Sequence, residues 1–169
     1  MFEPSLRHPE SDIPTLGQTE NEVSGFEVNL LHRLMNQYLK VYGVALSVFL
    51  AVDLIWLGFI ARNFYQDQLG FILTSSPNWT AAIIFYLMFV AGLLFFVVIP
   101  GLKETGLKNS LFRAAVFGIL TYGTYDLTNL ALIEGWPVLV TAVDIIWGMI
   151  LSIIVCLVSL KIGRHFNWR

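Results

Sequence analysis

Four apolar stretches, residues 41–61, 79–100, 110–133 and 137–160, dominate this chain of 169 residues. Each supplies the roughly 20 residues that an α-helix needs to cross a hydrocarbon core. A helix satisfies its own backbone hydrogen bonds, so it is the form such a stretch can take in lipid. The composition agrees: 56% of residues are hydrophobic and 13% are charged, about half the charge of an ordinary soluble domain. A net charge of -2 excludes the usual basic nucleic-acid binder, so no nucleic-acid partner is expected. The single cysteine, Cys156, excludes an intrachain disulfide and a multi-cysteine zinc site.

The stretches have marked ends. Ser76-Pro77 reads as a helix N-cap followed by proline at the first helical position. Pro100-Gly101 reads as a stop, and Gly135-Trp136-Pro137 as a tight reversal. Lysine and arginine then orient the spans. Arg33 and Lys40 precede the first; Lys103, Lys108 and Arg113 lie between the second and third; Lys161, Arg164 and Arg169 follow the fourth. The opposite side carries only Arg62. The positive-inside rule places both termini in the cytoplasm. Trp79, Trp136 and Tyr65 then fall at the outer interface, as an aromatic belt would. Asn78-Trp79-Thr80 matches a glycosylation pattern but abuts the bilayer, which makes it a chance match.

Residues 1–22 are polar, acidic and contain Pro4, Pro9 and Pro14. They offer too little apolar surface to offset ordering entropy and read as a disordered tail. They lack the apolar core of a secretory signal and the basic character of a mitochondrial presequence. Residues 23–40 carry helix signals. Ser24 and Glu27 form a capping box, with Val23 and Val28 placed as its hydrophobic staple. His32, Arg33 and Lys40 recur on a polar face opposite Leu30, Leu31, Leu34, Met35, Tyr38 and Leu39. This is the pattern of an amphipathic helix lying in a membrane interface. Residues 162–169 form a short cytoplasmic tail.

Three acids interrupt the apolar stretches: Asp53, Asp126 and Asp144. Each costs about 2.5–3.5 kcal/mol at membrane depth on insertion scales. At a rise of about 1.5 Å per residue, Asp53 lies roughly 4 Å, and Asp126 and Asp144 about 7 Å, to the outer side of the midplane. Tyr86, Tyr122, Tyr125, Thr128 and Asn129 share that layer. Trp56 and Trp147 each follow an aspartate by three residues, which places them on the same helix face. The inner half, by contrast, is filled by runs such as 93–99 and 151–160. The layout describes a polar pocket closed from the cytoplasm and approached from outside.

Three carboxylates in low dielectric cannot all stay ionised unaided. They can be protonated and join neighbouring helices by hydrogen bonds. Arg62 can pair with one of them. A cation can also bind them, and oxygen-rich sites suit hard metal ions, which makes Asp53, Asp126 and Asp144 the metal candidates. The familiar enzyme motifs H-E-x-x-H, G-x-S-x-G and the P-loop are absent. His8, His32 and His165 lie outside the spans, and no span contains lysine. No cofactor is therefore expected. Cys156 sits in the apolar inner half as a packing residue. Val52-Asp53-Leu54-Ile55-Trp56 echoes Val143-Asp144-Ile145-Ile146-Trp147, a faint internal repeat compatible with duplicated hairpins.

These same residues resemble a known family. Asp53-Leu54-Ile55-Trp56-Leu57-Gly58, Phe64-Tyr65, Pro77-Asn78-Trp79, the run from Tyr122 through Asn129, Gly135-Trp136-Pro137 and Asp144-Ile145-Ile146-Trp147-Gly148 are similar to bacterial membrane proteins grouped as domain of unknown function 2177. The resemblance extends over residues 41–160, and Y-x-x-Y-D-L-T-N is its most specific element. It implies a four-helix protein of a bacterial inner membrane and assigns no catalytic role, substrate or cofactor to any residue. Residues 1–39 depart from the family as an N-terminal extension, which hints at a partner.

The sequence thus predicts an all-α integral membrane protein, a four-helix antiparallel bundle over residues 41–161 preceded by an amphipathic interfacial helix. Its leading functional expectation is binding or translocation of a cation, proton or cationic headgroup in an outward-facing acidic pocket. The lipid bilayer is its first partner. Two other expectations stand beside this one: an accessory or assembly subunit of a larger membrane complex, and a membrane enzyme acting on lipid or quinone.

Overall fold

The computed structural model describes residues 16–74 and 76–168. All regular structure among them is helical: α1 (Leu16–Ile55), α2 (Arg62–Leu69), α3 (Trp79–Leu93), α4 (Ile99–Lys103), α5 (Lys108–Leu132) and α6 (Val138–His165). Two five-residue π-helical segments, Trp56–Ile60 and Leu94–Val98, follow α1 and α3. Most of the tail expected over residues 1–22 lies outside the described residues; α1 begins at Leu16. The segments expected as interfacial helix and first span both belong to α1.

Among the described residues, three helical segments are long and apolar enough to cross a membrane: Gly25–Ile60, Trp79–Lys103 and Val138–His165. The segment expected as a third of four spans forms α5. At 25 residues it has the length, but Lys108, Arg113, Asp126 and the surrounding Tyr, Thr and Asn residues make it less apolar than the other three.

Two helix ends differ from the sequence expectation. The N-cap of α3 is Asn78, not Ser76, because the Asn78 side chain accepts the Ala81 N–H at 3.1 Å. Pro100 does not stop the second stretch, which remains helical to Lys103. Proline removes a backbone donor and crowds the preceding turn. The wider π turn at Leu94–Val98 relieves that conflict directly before it. At the reversal between α5 and α6, Gly135 adopts a φ of 78°, a left-handed conformation that glycine takes without a side-chain penalty.

The chain divides into two units, residues 1–36 and 37–169. In the described part of the first, Phe26, Leu30, Leu31 and Met35 are exposed along the helix. The second unit holds the core. Its α5 and α6 pack antiparallel, Cys156 lying against the Ser110 carbonyl and Gly118 against Gly148. A Cβ at Gly118 would strike the Gly148 backbone, and one at Gly148 would strike the Tyr122 ring. These glycines set the close approach of the two helices. α1 packs beside α3: Phe49 is fully buried against Tyr86 and Phe89, and the Tyr42 hydroxyl donates to the Leu87 carbonyl at 3.0 Å.

One apolar cluster gathers Val41, Ala45, Phe49, Leu93, Val155 and Leu160 with their neighbours. A smaller one gathers Leu69, Trp136 and Val140. At the α4–α5 connection, the Arg164 guanidinium donates to the carbonyls of Gly101, Glu104, Thr105 and Gly106. Arg113 forms an ion pair with Glu104 there.

Candidate functional site

A cavity of about 400 Å³ brings together Asp53 of α1, Tyr65 and Leu69 of α2, Phe85, Tyr86 and Phe89 of α3, Tyr122 and Asp126 of α5, and Asp144 and Trp147 of α6. Its wall is mostly apolar and aromatic, with the three aspartates as its acidic groups. All three acids therefore face one space, but their surroundings differ.

Asp53 is buried and its charge is met by donors. Trp147 Nε1 donates to Oδ1 at 3.3 Å and the Tyr86 hydroxyl to Oδ2 at 3.2 Å. Asp144 accepts a hydrogen bond from the Tyr65 hydroxyl, which in turn accepts one from Trp56 Nε1 at 3.2 Å. Burial, and then the Asp144 hydrogen bond, push the Tyr65 hydroxyl above the usual phenol range, so it stays a donor. The Trp56 and Trp147 rings stack with centroids 4.2 Å apart and 9° between their planes.

Asp126 is different. Its relative exposure is 0%, and neither carboxyl oxygen meets a hydrogen-bond donor among the described residues. It lines the same cavity as the Asp144 carboxyl. Two carboxylates have no donor between them. With Asp126 buried and Asp144 half-buried, the two carboxyls are stabilised by a proton or a cation.

The structure corrects several sequence expectations. Arg62 is exposed and pairs with none of the three acids. The π turn and Ala61 lead into α2 so that Tyr65, one turn later, reaches Asp144 instead. Tyr65 and Trp136, expected in an aromatic belt, point inward. Trp136 is buried and donates to Thr141 Oγ1 at 3.1 Å. Thr128 is exposed, bonds back to the Thr124 carbonyl at 2.6 Å and lines a separate groove, not the cavity. Asn129 has a buried, unpartnered Nδ2 and does not line the cavity. Tyr125 lines the cavity mouth against Trp136 while remaining largely exposed.

Among the described residues, no group of three or more His, Cys, Asp and Glu side chains forms a metal-holding cluster. The candidate trio divides into a satisfied Asp53 and an Asp126–Asp144 pair. His32, Arg33 and Lys40, expected on the polar face of the interfacial helix, are exposed on α1. Cys156 is buried in packing, as its apolar setting suggests.

A family model described as predicted membrane protein (domain of unknown function 2177) matches residues 38–161. No curated protein and no solved structure matches the chain.

Proposed function

Because the chain belongs to this family of predicted membrane proteins, we propose that it is a membrane-embedded binding protein that takes up a cation or a proton at the Asp126–Asp144 pair. The observation that carries this reading is Asp126: fully buried, without a donor among the described residues, and lining a cavity that it shares with the Asp144 carboxyl. A positive charge entering that space would remove a like-charge conflict and satisfy acceptors that the protein leaves open.

In this reading α5 crosses the membrane as the third of four antiparallel spans, its polar run 122–129 turned partly toward the cavity. The cation-rich connection around Lys103, Lys108 and Arg113 faces the cytoplasm and the cavity opens toward the opposite side. The amphipathic segment rests at a membrane surface through Phe26, Leu30, Leu31 and Met35. The setting is a bacterial inner membrane.

Ligand binding to the native state raises stability by mass action. The test is the thermal midpoint of the purified protein in detergent, measured across pH and across sodium, potassium, magnesium and calcium salts. We expect a midpoint that depends on pH or on one of these cations in the wild type and a flattened dependence in Asp126→Asn. Superimposable dependences in the two proteins would overturn the proposal.

A further inference from the structure

We propose that the cation taken at this site, beyond the proton, is a lipophilic organic monocation with an aromatic or branched apolar body, not a metal ion. This rests on the reading of Asp126–Asp144 as a cation or proton site and names its ligand class.

Three features converge on that class. The first is charge. Tyr86 and Trp147 already meet Asp53, and Tyr65 already meets one oxygen of Asp144, so Asp126 is the one of the three carboxyls with no donor at either oxygen among the described residues. One unsatisfied carboxylate matches one positive charge. The second is coordination. A hard dication takes six or more oxygens, whereas no cluster of three ligating acids, histidines or cysteines is present among the described residues. The third is the wall. A volume of about 400 Å³ lies in the range of organic ligand pockets, roughly 300–1,000 Å³. Phe85, Phe89, Tyr122 and Trp147 surround it with aromatic faces and edges. Such rings favour a desolvated organic cation through cation–π attraction as well as apolar burial. A strongly hydrated inorganic ion gains nothing from that wall, while an anionic or zwitterionic amphiphile would bring a negative group against three acids.

Binding exchanges the organic cation for the proton held between Asp126 and Asp144. The titratable groups facing this exchange are Asp53 from α1, Tyr65 from α2, Tyr86 from α3, and Tyr122 and Tyr125 from α5.

The probe pair is tetraphenylphosphonium and tetraphenylborate, which share shape and size and differ in charge sign. Binding to the full chain in detergent is read by quenching of tryptophan fluorescence, with Trp147 in the cavity wall. We expect saturable tetraphenylphosphonium binding that weakens as pH falls, proton release on binding in weakly buffered solution, and no comparable tetraphenylborate binding. Asp126→Asn should weaken phosphonium binding by more than about tenfold, while Thr124→Ala, in the separate groove, leaves it unchanged. The pH dependence and proton release of the wild type keep the test decisive if Asp126→Asn is poorly folded. Equal binding of both probes, or phosphonium binding indifferent to pH and to Asp126→Asn, would overturn the inference. Stabilisation by an inorganic cation or proton with no phosphonium binding would also overturn it while leaving the proposed function intact. Loss of every Asp126-dependent response would overturn both.

Discussion

The indole rings of Trp56 and Trp147 stack at 4.2 Å, and each serves the aspartate that precedes the other. Trp147 donates directly to Asp53, while Trp56 reaches Asp144 through the Tyr65 hydroxyl. The two V-D-x-I-W segments noticed in the sequence thus meet at the cavity as a crossed pair. Stacking fixes the rings, and the rings aim their N–H groups. This arrangement fully satisfies Asp53, engages one face of Asp144 and leaves Asp126 without a donor.

Trp147→Phe should retain most of the stacked area and remove one donor from Asp53. The expected loss is about 1–3 kcal/mol, the cost of a buried acceptor losing its partner. It is read as a lower thermal midpoint. A separate double-mutant cycle of Trp147→Leu and Trp56→Leu, which removes the stack, should show coupling of about 0.5–1.5 kcal/mol from the aromatic contact. Strict additivity would contradict a functional stack.

Among the three acids, Tyr65→Phe should act on Asp144 alone. It removes the donor that holds this carboxylate and the acceptor used by Trp56, without changing the ring packed in the Leu69–Trp136–Val140 cluster. We expect a destabilisation of about 1–3 kcal/mol and a shift of tryptophan emission as the Trp56 indole loses its partner. Arg62→Gln should leave both unchanged, since Arg62 is exposed and unpaired with the acids.

Gly118→Ala and Gly148→Ala should each strain the α5–α6 contact. Overpacking of this kind costs about 1–3 kcal/mol, and here the obstructing atoms are backbone at one position and a ring root at the other. Gly43→Ala meets nothing within 4 Å and serves as the tolerated comparison. The readout is the fraction of monodisperse protein recovered in detergent together with its thermal midpoint.

Arg164→Met should loosen the connection between α4 and α5. The guanidinium holds carbonyls at Gly101, Glu104, Thr105 and Gly106, and hydrogen bonds from charged donors contribute about 1.5–3 kcal/mol each when buried and well formed. Partial exposure places the combined effect near the lower figure. Trypsin cleavage at Lys103 or Lys108 should be faster in the variant than in the wild type while cleavage elsewhere is unaffected.

Much of the site was legible in the sequence because membrane depth makes charge conspicuous. Asp53, Asp126 and Asp144 stood out against their apolar spans, and the i, i+3 spacing placed Trp56 and Trp147 beside them. What depends on local backbone geometry was not legible. Nothing in the periodicity marks the π turn at Trp56–Ile60, and that turn decides that Tyr65 and not Arg62 meets Asp144. Charge complementarity favoured the arginine; the path of the chain favoured the phenol. The same blindness made Pro100 read as a stop, since the π segment that accommodates it has no sequence signature of its own. Thr128 and Asn129 shared the right depth but not the right side of α5, a distinction that a helix polar on several faces does not reveal.

In the proposed function the Asp126–Asp144 pair holds a positive charge, and a proton when no other cation is present. Infrared difference spectroscopy of the carboxyl region, on the purified wild type and on Asp126→Asn, tests it most directly. The wild type should show a protonated-carboxyl band that is missing from Asp126→Asn and that disappears when tetraphenylphosphonium binds. Identical carboxyl spectra in the two proteins, unchanged by the phosphonium ion, would contradict it.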